Sequence, residues 1–143
     1  MPYGSTTARG FMLASLLGSA KRAGAPGTLY AALCRQATPG DVSTVLGTEP
    51  DATGDYARVA FTNDDAFWTL DGAGSGTNDV ELRWPLSTGL YSITGALNQL
   101  ALYDNTTGGT CWLWVPMSTT ITVTGAGDQP VIGPGSLDLT QVA

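Results

Sequence analysis

The residues best equipped for chemistry in this chain are carboxylates. Asp64 and Asp65 stand side by side, and Asp71, Asp79 and Glu81 follow closely. Two carboxylates at a defined separation are what glycoside hydrolysis requires, one as acid and the other as base or nucleophile. The plainer alternative is that all five are solvated acids of loops and of a strand's outer face, since nothing around them promises burial. The stretch Asp71-Gly-Ala-Gly-Ser-Gly-Thr-Asn78 is the other candidate. As a phosphate cradle it lacks a following helix and a lysine. As a calcium loop, Asp71, Ala73, Ser75 and Gly76 match the EF-hand register only at the first position and at the glycine, with no glutamate at the twelfth. It reads as a flexible loop.

The chain contains no histidine, which removes Ser-His-Asp and Cys-His catalysis and the commonest metal ligand. Its two cysteines, Cys34 and Cys111, are too far apart for a CxxC pair and read as small buried hydrophobes in a reducing cytoplasm. No catalytic, cofactor-binding or metal-ligating residue is therefore assigned, and the expectation is a protein that is not an enzyme and uses no cofactor. Trp68, Trp84, Trp112 and Trp114, with Tyr30, Tyr56, Tyr91 and Tyr103, could build a core or a sugar-stacking platform, and core is the preferred reading. Trp112 and Trp114 alternate in phase, so they are expected on one strand face, packed together.

These groups need a scaffold, and its outline is mostly β. The 143 residues suit one domain, taken as 1–143, with an arm at 1–7, a helix at 8–23 and a β-sandwich at 28–143. Leu13, Leu16, Leu17 and Ala20 share a helical face, and Gly24 and Pro26 should end that helix near Ala23. Thr28 to Cys34 reads as a buried strand, 36 to 55 as a long loop, and Tyr56 to Thr62 as a half-buried strand. In Asp79 to Trp84, Val80, Leu82 and Trp84 alternate with acids and Arg83, and Pro85 ends the ladder. Leu97 to Tyr103 and Thr110 to Val115 flank Asp104-Asn-Thr-Thr-Gly-Gly109 as a hairpin. Ser118 to Thr124 and Ser136 to Thr140 complete about seven strands, the pattern of an all-β, two-sheet sandwich, immunoglobulin-like or jelly-roll.

Only 13% of residues are charged, which suits a surface packed in an assembly, and the net charge of −6 with a single lysine excludes a phosphate-neutralising patch. No nucleic acid and no membrane is expected as a partner, since the apolar clusters are far short of a bilayer span and no secretory pattern opens the chain.

The order of segments resembles a family of small tailed-phage virion proteins, often labelled tail fibre proteins, some of whose relatives decorate heads. The resemblance rests on a helix running into Ala25-Pro-Gly-Thr-Leu-Tyr-Ala-Ala-Leu-Cys34, on Gly54-Asp-Tyr-Ala-Arg-Val-Ala60, on Leu100-Ala-Leu-Tyr-Asp-Asn-Thr-Thr-Gly-Gly109 and on Ile132-Gly-Pro-Gly-Ser-Leu-Asp-Leu139. Gly89 to Gly95 and the segment after Trp112 depart from it. The resemblance implies a decoration or cement protein on the outer surface of the capsid, assembled in the bacterial host cytoplasm. Its partners would be the major capsid protein and further copies of itself, a homo-oligomer such as a trimer. A tail or tail-fibre component is the first alternative, and a carbohydrate-binding β-sandwich module the second.

Overall fold

Runs of apolar residues without polar alternation form strands only where both faces can be covered, which places them inside a sheet rather than at its edge. Thr28–Cys34 is such a run and forms β1, buried on both faces from Ala31 onward. A computed structural model describes residues 15–42, 44–71 and 75–139 of the chain. In it, β1 lies inside a four-stranded antiparallel sheet with β2 (Val59–Thr62) on one side and β6 (Leu97–Tyr103) on the other; β7 (Cys111–Ile121) pairs with β6, so the order is β2-β1-β6-β7. The register runs from Thr28 opposite Thr62 and from Cys34 opposite Gln99. Two short antiparallel pairs stand apart: β3 (Trp68–Leu70) with β4 (Gly76–Asn78), and β5 (Leu82–Arg83) with β8 (Val131–Ile132).

The main core gathers one face of the large sheet, through Leu29, Leu33, Phe61, Leu100, Leu102 and Val115, with Trp68, Leu82, Trp84, Ile132, Leu137 and Leu139 from the smaller pairs and the C-terminal segment. Phe61 stacks on Phe67 at 4.0 Å, and Trp68 meets both rings edge-on. Among the described residues no helix is long and apolar enough to cross a membrane.

Three buried amides connect this core to the loops. Asn63 accepts hydrogen bonds from the Gly18 N–H and Trp68 Nε1, and its own NH2 donates to the carbonyls of Leu16 and Pro26. Asn78 donates to Val80 O and Gly133 O and accepts from the Leu137 N–H. Gln99 donates to Val42 O and Val45 O and accepts from the Gly47 N–H at 2.6 Å. Buried polar groups persist only when so partnered. Here each amide supplies bonds that an irregular segment cannot make to itself.

These amides account for several departures from the sequence expectations. The helix expected over 8–23 does not reach Ala23: residues 8–14, like the arm at 1–7, lie outside the described residues, and only Ser15 and Leu16 are helical before the chain turns. Gly18, at φ 80°, ends it six residues earlier than Gly24 would, because its N–H is taken by Asn63 rather than by a preceding turn. Val80 does not join Leu82 and Trp84 inside; it is 47% exposed, because Asn78 is the inward residue and the chain turns at Asp79. Ser136 to Leu139 is not a strand. Leu137 and Leu139 are buried, but the segment bonds to Asn78 instead of to a ladder, and the last short strand is Val131–Ile132.

Trp68–Leu70 and Gly76–Asn78 pair as strands within the stretch expected to be irregular, although 72–74 lies outside the described residues. The Ser118 to Thr124 strand continues β7 as far as Ile121. The hairpin of β6 and β7 is as expected, with Gly108 and Gly109 at φ 57° and 75° where the chain reverses.

Candidate interaction surfaces

The outer face of the large sheet is covered around the end of β1, while Thr28, Ala60 and Thr62 at its other end are exposed. Ala32, Cys34 and Ala101 are fully buried there beneath Leu46, Tyr103, Cys111 and Trp114. Leu46 belongs to a strap, residues 44–48, fastened by Gln99 and by the backbone bridge between Arg35 and Thr48. Gly47 is required in the strap because a Cβ there would collide with the Arg35 carbonyl.

Where the strap ends, Glu49 and Arg58 form an ion pair at 2.7 Å with side chains 19% and 6% exposed. Both Nε and Nη2 of Arg58 donate to the carboxylate, the fork-on-fork geometry of a strong pair. Tyr56 donates its hydroxyl hydrogen to Glu49 and accepts the Leu33 N–H. The guanidinium lies 3.6 Å from the Tyr103 ring centroid, and Nη1 donates to Asn105 O and Gly108 O in the β6–β7 turn. An exposed hairpin tip is thereby held from below by a buried cation.

Burial and the Glu49 charge push the Tyr56 hydroxyl far above the ordinary tyrosine range. Burial likewise pushes the Cys34 thiol up to about 12, with Glu49 adding to it, and the Tyr103 hydroxyl up to about 12. In each case the fold keeps a proton that the unfolded chain would release. Stability should therefore hold below about pH 9 and fall as the pH rises from there toward 12, by up to roughly 1.4 kcal/mol per pH unit for the buried Cys34 and, from about pH 10, for Tyr56, with half-buried Tyr103 adding less because solvent screens it. Urea midpoints measured from pH 7 to 11 check this, and Cys34→Ala should reduce the part of the decline that begins near pH 9, leaving the share of Cys111, whose thiol burial also pushes up, and the tyrosine part.

The carboxylates singled out above each bond to a backbone or side-chain partner. Asp64 accepts the N–H groups of Ala66 and Phe67, Asp65 that of Ser19, and Asp71 that of Ser75. Asp79 accepts from the Thr69 hydroxyl, and Glu81 pairs with Arg83 on an exposed surface. Asp65 ties the segment at Ser19 to its own loop, and the others serve a turn, a strand pair or a surface ion pair. Among the described residues no group of three or more Cys, Asp or Glu side chains could hold a metal ion.

Trp68 and Trp84 are core, at 2% and 0% exposure, and cannot form a surface platform. Trp112 and Trp114 part company, against the in-phase expectation. Tyr103 lies opposite Cys111 while Leu102 lies opposite Leu113, so Trp112 is an extra residue in the ladder, a β-bulge. Trp114 packs on the buried alanine patch, whereas Trp112 lies 5.8 Å from the Arg22 guanidinium and donates Nε1 to Asp104. Asp104 also accepts the Thr110 N–H, and these bonds hold its carboxyl below the usual carboxylate range.

A second irregularity lies at the far end of β7. Leu97 pairs with Ile121 and Gln99 with Pro116, so Met117 to Thr120 face the single residue Asn98. Ser118, Thr119 and Thr120 are pushed outward and exposed. Beside them runs a groove of about 480 Å3 between β7 and the segment from Val131 to Asp138. These residues carried no recognisable signal in the sequence beyond a threonine-rich run.

Residues 5–140, nearly the whole chain, match the family model described as Podophage GP4 fiber I protein gp80. No curated protein matches the chain.

Proposed function

The chain belongs to the podophage fiber I protein gp80 family, and from that premise we propose that it is a fibre component of a phage tail, working by shape and adhesion rather than by catalysis. The observation that carries this is the family match across residues 5–140, which favours the fibre alternative over the head-decoration reading. The surface features support it. The carboxylates are engaged in structural bonds, the exposed hairpin tip is braced by Arg58, and hydroxyls and backbone groups line the groove beside β7. Such surfaces suit contacts repeated over many copies, where avidity replaces any single strong site.

We read the two small strand pairs as the second layer of a β-sandwich over the large sheet. Its partners are neighbouring copies of itself and other virion proteins, with no cofactor. The decisive experiment is copy number and position in intact particles. Gold-labelled antibody against the chain should mark the tail, and quantitative gel densitometry should give far fewer copies than the major capsid protein. Near-stoichiometric abundance with label over the head would reverse the assignment to capsid decoration.

A further inference from the structure

We infer that the ridge Ser118-Thr119-Thr120 and the groove beside it form a self-complementary interface between two copies of this chain. This rests on the reading that copies assemble with one another, and it assigns the surface that does so. Ridge and groove are neighbours on one face: the extra residues that loop out of the β6–β7 ladder make the first, and the gap between β7 and the Val131–Asp138 segment makes the second. A two-fold axis between them lets the ridge of each copy enter the groove of the other, the isologous arrangement in which one patch serves both sides.

Charge selects a second copy as the occupant. Each chain carries a net −6, so copies repel one another over most of their surface. From Cys111 to Gly127 there is no charged residue, and Asp138 is the one ionisable residue among those lining the groove. This strip, like the uncharged stretch 84–103, is one where two like-charged copies can approach with little electrostatic penalty. The groove also has apolar content to cover, since Met117, Ile121 and Ile132 open onto it while packing against or belonging to the main core. Val131, 36% exposed, opens onto it as well. Pro116 and the bulge keep β7 from continuing as a plain pairing edge, so the contact is side chain into groove rather than an added strand.

The test is the solution mass of the purified full chain by light scattering over a wide concentration range, with Thr119→Glu/Thr120→Glu and, as control, Thr106→Glu on the exposed hairpin tip. The wild type and the control should exceed the mass of a single chain, and the double variant should fall to it with its circular dichroism unchanged. A wild type that stays at single-chain mass overturns both self-association and this surface. An oligomer that survives the double variant overturns the surface alone, and neither result bears on where in the particle the chain sits. Should the double variant fail to fold, amide exchange on the wild type decides: protection at 117–121 that rises with concentration supports the interface, and protection that does not overturns it.

Discussion

Asn63→Leu should lower the stability of the fold by about 4 kcal/mol, a large share of the roughly 5–15 kcal/mol that holds a domain of this size together. The amide is fully buried and makes four hydrogen bonds to four different residues. Leucine has similar volume but no polar atom, so the Gly18 N–H, the Trp68 indole N–H and the Leu16 and Pro26 carbonyls would all lose their partner. A buried group left unsatisfied costs about 1–3 kcal/mol, and some of these four can turn toward water, which places the sum near the stated figure. Asn63→Asp provides a sharper comparison. It retains the acceptor for Gly18 and Trp68 but sets a carboxylate oxygen against two carbonyls, so it should also be strongly destabilising, and less so as the pH falls and the carboxyl is protonated. Urea unfolding followed by tryptophan fluorescence reads both; a loss below 1 kcal/mol for the leucine variant would show that the segment around Gly18 is held by something else.

Arg58→Ala should cost about 3 kcal/mol, the lower end of the penalty for removing one partner of a buried ion pair, because the Glu49 side chain it strands is still 19% exposed. That figure is not the net worth of the pair. It arises because Glu49 would remain in place with only the Tyr56 hydroxyl, while Asn105 O and Gly108 O lose their donor and the stack on Tyr103 is gone. Arg58→Lys retains the charge but not the fork that serves a carboxylate and two carbonyls at once, so it should fall between wild type and alanine. Combining Arg58→Ala with Glu49→Gln should cost clearly less than the two single changes added, since the second removes the charge that the first strands. The local signature is faster amide exchange through 104–110. Equal loss in the double variant and in the sum would mean that the two side chains act independently.

The parts of the fold legible in the sequence are those settled by neighbours along the chain. β1 could be read to the residue because an apolar run flanked by glycine and a polar loop has one sensible place, and the β6–β7 turn because Gly108 and Gly109 supply the positive φ that it requires. The misread parts are all decided by a side chain far away. Gly24 and Pro26 look like the end of the helix, and nothing near Gly18 announces that Asn63, 45 residues on, will capture its N–H.

Val80 alternates faultlessly with Leu82 and Trp84, yet Asn78 takes the inward position because Gly133 and Leu137 lie where its amide can reach them. Sequence reasoning favours apolar residues for the interior, so Asn63, Asn78 and Gln99 carried no visible signal. The same holds for the candidate surfaces. Arg58 could be placed on the polar face of a strand but not beneath a hairpin tip 47 residues away, and the Trp112 bulge, which separates two tryptophans that look paired, depends on the register of β7 against β6. The absence of histidine was informative about chemistry; it could not indicate which surface would meet a partner.

The saturated bonding of Asn63 also bears on chemical ageing. An asparagine deamidates when its side-chain carbonyl carbon swings round to meet the backbone nitrogen of the next residue, and a particle outside its host has no means of replacing damaged subunits. With both amide hydrogens and its oxygen engaged, Asn63 has no such freedom, and the following nitrogen, that of Asp64, is itself bonded to the Thr62 carbonyl. Asn105, in the exposed hairpin tip, has its side chain tied only to the adjoining Thr106, whose N–H and hydroxyl donate to its oxygen, so wear in long-stored particles should begin at the tip and leave the interior intact.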